Sequence, residues 1–411
     1  MNKSNFFTGQ PIFSQVLKFI PRADVFTISR DLKSDRYCKT FNTYSHLVTM
    51  LYGILNKCDS LREVTTGLLA WDQRIHHLGI DNHPRRSTIS DANKRRGHEV
   101  FEKIYYKLLN RYQDILPDSR KRSKKNNLYI FDSTTITLFQ EILKGSGLSK
   151  SDGKRKGGIK VHTLLRSDQD VPCMIRYSEA AASDVQFLKL VQLPKGSVIV
   201  FDKGYSDYKT YNRFSDQQIT LVTPLNSHSV YQRIKQRPLT DEHIEQGVIS
   251  DEEIILGHSH QKKAVKVRAR LVTYRDPVSK KKFEFICNNF KLSALRIAGY
   301  YQQRWQIETF FRRIKQNYPL QYFLGDNENA IKIQIWCALI ADLILKVIKK
   351  GSKTSMSFSN MNSLVRLHLM TYMDLTEFLW APEKSLLRKA RRHNLDSRGP
   401  TLFEQGGLGL W

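Results

Sequence analysis

The chain has 411 residues, 40% of them hydrophobic, so it can bury substantial cores and is long enough for two or three domains. Its 66 Lys and Arg against 39 Asp and Glu give a formal net charge of +27, which favours a polyanionic partner, while its length and apolar content disfavour a small ribosomal-type basic protein. The five cysteines are scattered without Cys-x-x-Cys spacing, which argues against a zinc ribbon or disulfide framework and indicates a reducing compartment.

Residues 1–117 show apolar side chains at helical spacing and are predicted to form a helical N-terminal domain. Within it, 85–96 is predicted to be a short helix with Ser87 as its N-cap. With a preceding helix over about 60–71, it would form a unit like a helix-turn-helix. Five of its polar side chains are of the types that contact phosphates and base edges, and we predict DNA binding by Ser87, Asn93, Lys94, Arg95 and Arg96. A solvated basic surface helix is the alternative.

The segments after this domain are predicted to be linker, core and flanking elements. In chain order they are a basic linker at 118–126, the first part of the core at 127–225, a β-rich insertion at 226–290, the resumed core with a helix at 291–325, C-terminal helices at 326–380, and a basic, then Gly-rich tail at 381–411. The insertion is predicted from the alternation of 264–274, whose Lys266, Arg268 and Arg270 would form a basic face or a merely solvated one.

Two aspartates come directly after short apolar runs that are typical of buried strands. Asp132 follows Leu-Tyr-Ile-Phe at 128–131, and Asp202 follows Val-Ile-Val-Phe at 198–201. A carboxylate there lies at the sheet edge where open α/β sheets bind ligands, although a cap or turn is the commoner use of such an aspartate. Other aspartates have weaker claims because they fall in loops or at helix starts: Asp152, Asp168, Asp184 and Asp207.

The segment 301–315 is predicted to be one helix that carries polar chemistry on one stripe. Around its axis, Arg304, Glu308 and Lys315 lie within about 60° of Tyr301. The neighbouring apolar stripe has helical spacing and consists of Ile307, Phe310, Phe311 and Ile314. An ordinary amphipathic helix with a solvated charged face is the alternative. With the two strand-end aspartates, however, Glu308 completes an acidic trio suited to hard divalent cations such as Mg²⁺.

The order Asp132, Asp202, Glu308, with Tyr301-x2-Arg304-x3-Glu308-x6-Lys315 around the last, resembles the DDE transposases of the bacterial insertion-sequence-4 family. The resemblance runs from about residue 6 to about residue 379. It implies an α/β protein with a ribonuclease-H-like catalytic core and a β-rich insertion, preceded by an all-α N-terminal DNA-binding domain and followed by C-terminal helices. It also implies binding of the terminal inverted repeats of an insertion sequence and cut-and-paste transposition through a hairpinned end.

The chemistry of the residues suggests their roles. Asp132, Asp202 and Glu308 would hold two Mg²⁺ ions, for which Mn²⁺ can substitute, and these would activate water and offset charge in phosphodiester cleavage. Cationic and phenolic side chains at the same edge suit DNA phosphates: Tyr301, Arg304, Lys315, Lys203 and Lys160. Trp305 either stacks on a displaced base or, as is commoner, packs in the core.

Double-stranded DNA, as element ends and as target, is the expected partner, and a homodimer is expected because two ends must be synapsed. We expect a cytoplasmic, nucleoid-associated protein with no membrane partner. The N-terminus lacks the apolar stretch of a signal peptide, and the most apolar segment, 335–348, is interrupted by Asp342 and Lys346 and predicts a buried helix.

Two other function classes stay open. One is a ribonuclease-H-like nuclease that cuts without joining strands, and the other is a sequence-specific DNA-binding protein with an inert acidic trio. An assay with labelled element ends would distinguish the three function classes. A transposase would join the ends, a nuclease would only cut them, and an inert DNA-binding protein would bind them and leave them uncut.

Overall fold

The computed structural model describes residues 9–116, 127–137, 147–149, 155–179, 184–257, 265–320 and 322–386. The predicted linker at 118–126, Asp152 and most of the tail lie outside these described residues. The chain divides into two compact units: a helical unit of Met1–Leu116 with Asn317–Trp411, and a sheet unit of Pro117–Gln316. The N-terminal helices and the C-terminal helices, which the sequence presents as separate segments, therefore form one unit.

The helical unit is built around one long buried helix. Its elements are α1 (Ile12–Leu17), α2 (Arg22–Asp31), α3 (Thr43–Asn56), α4 (Leu61–Leu69), a 3-10 helix (Asp72–Leu78), α5 (Arg86–Arg95), α6 (Glu99–Tyr112), α12 (Glu328–Ser352), α13 (Phe358–Leu367) and α14 (Leu375–Trp380). Helix α12 packs against α3 and α6, and its Trp336 contacts the ring of Tyr105 at 5.5 Å between centroids. The apolar run at 335–348 is buried in this helix, as predicted.

Two local predictions in this unit are wrong. Helix α5 begins at Arg86 with Arg85 in the N-cap position, so Ser87 lies inside the first turn and is not the cap. Helices α4 and α5 are in contact, but residues 70–85 with their 3-10 helix separate them. The turn of a helix-turn-helix has only about three or four residues, so α4 and α5 do not form the predicted helix-turn-helix unit.

Across the described ranges, every helix is too short or too polar to span a bilayer.

Among its described residues, the sheet unit contains a ten-stranded mixed sheet, five α-helices and one 3-10 helix. Its elements are β1 (Leu128–Thr137), β2 (Gly147–Ser149), β3 (Arg155–Arg166), β4 (Val171–Glu179), α7 (Val185–Leu188), β5 (Val198–Phe201), a 3-10 helix (Lys203–Tyr205), α8 (Tyr208–Asp216), β6 (Thr220–Pro224), β7 (Tyr231–Gln236), α9 (Asp241–Glu245), β8 (Val248–Leu256), β9 (Val267–Arg275), β10 (Lys282–Cys287), α10 (Ala294–Gln302) and α11 (Trp305–Asn317). Strands β1, β3 and β4 form an antiparallel meander, and β5 and β6 continue the sheet parallel to β1.

The strands of the predicted insertion at 226–290 belong to this same sheet. Strand β10 pairs with β6, and β9, β8 and β7 follow outward in antiparallel order. The region is β-rich as predicted, but it extends the core sheet and does not form a separate layer. Its predicted basic face is also incomplete, because Arg270 is 1% exposed and forms a two-point ion pair with Asp251, at 2.8 and 2.6 Å.

The central strands are buried on both faces, which explains their continuous apolar runs. Phe131 and Phe201 pack on one face in a cluster with Phe214 of α8. Leu128 and Val200 point to the opposite face, in a cluster with Ile297 of α10. Neighbouring residues of a strand alternate between the two faces, so β1 and β5 contribute side chains to both clusters. Packing on both faces holds these two strands in place.

Candidate active site

The two predicted aspartates lie side by side on adjacent parallel strands. The register of β1 and β5 ends with Phe131 opposite Phe201, so Asp132 and Asp202 are the next residues on each strand. Asp202 leaves the sheet there and begins the 3-10 helix. Asp132 does not leave its strand, contrary to prediction, because β1 continues to pair with β3 up to Thr137. The carboxyl ends of the parallel strands therefore bring the first two acids together.

The third acid lies on α11, and the helix predicted at 301–315 is in fact two helices. Helix α10 ends at Gln302 and α11 begins at Trp305. In the break, the backbone N–H of Arg304 donates to the carbonyl of Tyr301 at 2.9 Å, an i to i+3 bond of a tight turn. Tyr301 and Glu308 therefore belong to different helices. The apolar stripe is confirmed, since Ile307, Phe310 and Ile314 are buried and Phe311 is partly buried.

Contacts that the sequence did not reveal fix α11 against the meander. The hydroxyl of Ser167, in the turn between β3 and β4, donates to the side-chain oxygen of Gln306 at 2.8 Å. Asp170 in the same turn forms an ion pair with Arg313. These residues carry no periodic or motif signal, so only the fold identifies them. They hold the helix that bears Glu308 at a defined position beside β1.

Lys315 provides a further attachment of α11 to β1. Its ammonium donates to the hydroxyl of Thr134 at 2.7 Å and to the carbonyl of Thr135 at 3.3 Å. Burial lowers its pKa. The ammonium of Lys315, which was predicted to contact DNA, therefore joins α11 to β1 in this structure, although the residue as a whole is exposed.

Arg304 bridges two of the three acids. One guanidinium nitrogen donates to Asp132 Oδ2 at 3.3 Å and the other to Glu308 Oε1 at 2.7 Å. The guanidinium also lies 5.7 Å from the ring centre of Tyr301, which is itself 4.8 Å from the ring of Phe285. The break between α10 and α11 thus places a cation between the strand-borne and helix-borne carboxylates.

The pKa of Asp132 reflects this crowding of charge. The pKa of this carboxyl is raised from 3.8 to about 6. Burial is the main cause, the carboxylates of Asp202 and Glu308 also raise the pKa, and the N–H of Ser133 and the guanidinium of Arg304 act in the opposite direction. Ser133 donates to Asp132 Oδ1 at 2.8 Å. A strongly perturbed carboxyl beside other acids is typical of a functional site. Asp202 and Glu308 therefore both act electrostatically on Asp132.

The donor set suits a hard cation, with one condition. Carboxylate oxygens are the ligands that divalent ions such as Mg²⁺ prefer, and a positive group already stands between Asp132 and Glu308. Within the described ranges, however, no three His, Cys, Asp or Glu side chains come close enough to hold a metal ion together. Binding of one ion by both Asp132 and Glu308 would require Arg304 to release at least one of these carboxylates.

The other residues predicted at this edge differ in accessibility. Trp305 is 60% exposed, so the interpretation that it packs in the core is wrong. Lys203 is exposed next to Asp202. Lys160 does not have a free charge, because it forms an ion pair with Asp184 at 2.9 Å and its side chain is 16% exposed. We therefore withdraw Lys160 as a phosphate contact and retain Trp305 and Lys203.

The prediction for α5 is also corrected in part. Ser87, Lys94 and Arg95 are exposed on this helix, but Asn93 is 1% and Arg96 4% exposed. Asn93 contacts His46 Nε2 at 2.8 Å, and Arg96 donates to His46 Nδ1 at 2.9 Å. Both side chains are committed to the polar interior of the helical unit, so neither can contact DNA from where it lies.

The weaker aspartates have structural partners. Asp168 pairs with Arg166 at 3.0 Å, Asp184 pairs with Lys160, and Asp207 caps α8 by accepting from the N–H of Thr210. A residue that the sequence analysis passed over is Tyr205, which is buried behind the two catalytic candidates and packs edge-on against Phe131 at 4.9 Å. Burial raises the pKa of its phenol.

Comparisons with known proteins identify several relatives of this chain. Two curated relatives are both named as putative transposases. One, y4zB of Sinorhizobium fredii, is 29% identical over 69% of this chain and 76% of its own length. The other, for insertion sequence element IS4SA of Synechocystis sp., is 27% identical over 66% of this chain and 74% of its own length. A solved structure, the piggyBac transposase synaptic complex with hairpin DNA, also matches. The match covers 97% of this chain and 84% of that chain with 12% identity, and its TM-score of 0.41 is too low for a structural inference.

Two family models match the chain. A domain of unknown function (DUF4372) covers residues 8–81, in the helical unit. The transposase DDE domain covers residues 123–343, which is more than half of the chain and includes Asp132, Asp202 and Glu308. The chain therefore belongs to the transposase DDE domain family and is a transposase.

Proposed function

We propose that this transposase binds the terminal inverted repeats of an insertion sequence and cuts and joins DNA strands at a site formed by Asp132, Asp202 and Glu308. One observation carries the proposal. The register of β1 and β5 sets the two aspartates side by side, and Arg304 links Asp132 to Glu308. These contacts support a site to which three acids from distant parts of the chain contribute.

The strand arrangement supports a ribonuclease-H-like core of the kind found in insertion-sequence-4 transposases. Strands β4, β3, β1, β5 and β6 lie in that order, with an antiparallel meander followed by two strands parallel to β1. The first acid lies on the central strand of this set and the second on its parallel neighbour. The third lies on a later helix, which agrees with the order of the signature.

Transposase DDE domains use divalent metal ions. We assign Mg²⁺, with Mn²⁺ as a substitute, to Asp132, Asp202 and Glu308. Bound ions would supply an activated water and offset negative charge during phosphodiester cleavage. The chain's own residues prepare the site. Asp132 must lose its proton before it can act as a ligand, and Arg304, once released, can bind a DNA phosphate through two parallel hydrogen bonds.

We assign DNA contacts to several side chains. In the sheet unit, the exposed Trp305 offers an aromatic face for a displaced base, the exposed Lys203 offers a cation beside Asp202, and the partly buried Arg304 offers a second cation. Tyr301 lies against Arg304 and orients it. In the helical unit, Ser87, Lys94 and Arg95 face solvent on α5 and suit the backbone of double-stranded element ends.

We assign a cut-and-paste route through a hairpinned end, carried out by a homodimer on chromosomal DNA in the bacterial cytoplasm. Cleavage frees a 3′ hydroxyl at the element end, and the same site can then direct that hydroxyl onto the opposite strand and later onto target DNA. Two ends must be held together for this, which is the reason for a dimer.

A strand-transfer assay with labelled element ends and Mg²⁺ tests the proposal. Asp132→Ala, Asp202→Ala and Glu308→Ala should each abolish cleavage and leave end binding intact, because the acids act on the scissile phosphate and not on the repeat. Asp216→Ala, at an exposed position of α8, is the matched control and should cut normally. Near-normal cutting by any of the three variants would contradict its assignment. Cut but unjoined products would indicate a nuclease.

A further inference from the structure

A cationic groove lies on the helical unit between the turn after α2 and the outer face of α5. Its volume is about 690 Å³. Four exposed cations line it: Lys33, Arg36, Lys39 and Arg95. Among its described lining residues, Glu99 is the only acid. The groove therefore offers a positive surface on the helical unit, and none of the three catalytic candidates lines it.

Tyr37 stands at this groove in an unusual conformation. Its side chain is 87% exposed, and its φ is +64°, a left-handed value that is rare for a bulky residue. The turn is closed by a hydrogen bond from the Cys38 N–H to the carbonyl of Asp35 at 3.0 Å, so Tyr37 occupies the third position, where glycine or asparagine is usual. An exposed ring contributes little to packing, and backbone strain of this kind is concentrated at functional sites.

Buried contacts hold the turn in place. Asp35 accepts hydrogen bonds from the guanidinium of Arg96 at 3.0 Å and from the N–H of Thr43 at 2.7 Å. Arg96 also donates to the carbonyl of Phe41 at 3.0 Å, on the far side of the turn. The Arg36 guanidinium lies 4.9 Å from the centre of the Tyr37 ring. The ring is thus presented beside a cation by a firmly anchored backbone.

The size and chemistry of the groove select its ligand. Its volume lies within the range of a pocket for one small ligand, about 300–1,000 Å³, so it can take a base with its neighbouring phosphate groups. Cations that follow a phosphate backbone, together with an exposed aromatic ring on which a base can stack, are the features with which proteins bind single-stranded nucleic acid.

We propose that this groove binds a single strand of DNA, with one base stacked on Tyr37 and the phosphates contacting Lys33, Arg36, Lys39 and Arg95. The inference rests on the proposed function, since cutting and joining at an element end is what would provide unpaired nucleotides. It assigns to the helical unit a contact with unpaired DNA in addition to the duplex contacts proposed for α5, and Arg95 belongs to both sets.

Fluorescence anisotropy of the full-length protein in EDTA, which prevents cleavage, tests the groove. The probe is labelled oligothymidylate of about 12 nucleotides, within the range that single-strand sites cover. Tyr37→Gly should bind this probe about 5- to 150-fold more weakly, the equivalent of one lost base stack. Because glycine suits the turn, the midpoint of thermal unfolding should stay the same or rise. Tyr37→Phe keeps the ring and should bind like the wild type.

Three results would overturn the inference: wild-type affinity in Tyr37→Gly, an equal loss of affinity for a duplex of the same sequence, or a loss of affinity accompanied by a lowered midpoint of thermal unfolding.

As a test of the phosphate contacts, Lys39→Gln should reduce the salt dependence of single-strand binding by about 0.7 in log–log slope. The inference and the proposed function fail separately. Wild-type protein that binds the probe through Tyr37 yet never cuts element ends would reject the proposed function alone, whereas normal cutting by the wild type, with wild-type probe affinity in Tyr37→Gly, would reject this inference alone.

Discussion

Replacement of Asp132 by asparagine tests the electrostatics of the site independently of catalysis. The carboxyl has a pKa raised from 3.8 to about 6, chiefly by burial. At about 1.36 kcal/mol for each pKa unit, the ionised carboxylate costs the folded state about 3 kcal/mol. The side chain is 20% exposed, so solvent screens only part of this effect. Asparagine has nearly the same shape and carries no charge, so the variant should be more stable than the wild type at neutral pH.

The pH dependence follows from the direction of the shift. Below 3.8 the carboxyl is protonated in both the folded and the unfolded state, and it costs nothing. Between 3.8 and about 6 the folded state binds more protons than the unfolded state, so the free energy of unfolding falls as the pH rises. Above that range the full cost is present. Asp132→Asn should therefore gain little at about pH 4 and about 3 kcal/mol at about pH 8.

Urea denaturation of both proteins in EDTA at the two pH values measures this difference. Asp168→Asn is the matched control, because that carboxylate pairs with Arg166 at 3.0 Å and its loss should not stabilise the protein. Added Mg²⁺ should raise the stability of the wild type more than that of Asp132→Asn, since the variant lacks a ligand. The reasoning would be refuted by equal stabilisation at both pH values, or by none at about pH 8.

Two further substitutions test other parts of the chain. Trp305→Ala removes an exposed ring, so it should change the free energy of unfolding by less than about 0.5 kcal/mol. The same variant should bind element ends more weakly in a gel-shift assay, and unchanged affinity would show that Trp305 has no role in DNA binding. Asp251→Asn deprives the buried Arg270 of its carboxylate and should lower the free energy of unfolding by about 3–5 kcal/mol in urea denaturation. Arg268→Gln, which removes the exposed pair with Glu253, is its control and should cost less than about 1 kcal/mol, and a similarly small loss for Asp251→Asn would contradict the buried-pair argument.

The amino-acid sequence alone identified the main elements of the catalytic region. The runs at 128–131 and 198–201 are apolar at every position because their strands are covered on both faces, and such runs indicate strands without knowledge of the fold. The apolar stripe of α11 likewise follows from helical spacing. The polar signature around Glu308 carried the family resemblance, because its residue types and spacing are fixed along the chain.

Only the tertiary structure decided which polar groups are free to act. Asn93 and Arg96 have the composition of a DNA-binding helix, yet they are buried against His46, and Lys160 is engaged by Asp184. The break at Arg304, which sets a guanidinium between two acids, and the strained turn at Tyr37 also leave no periodic signal. A side chain's type and spacing determine what it can bond to, but its partners come from segments far away in the chain, and the packed fold alone determines which of them it meets.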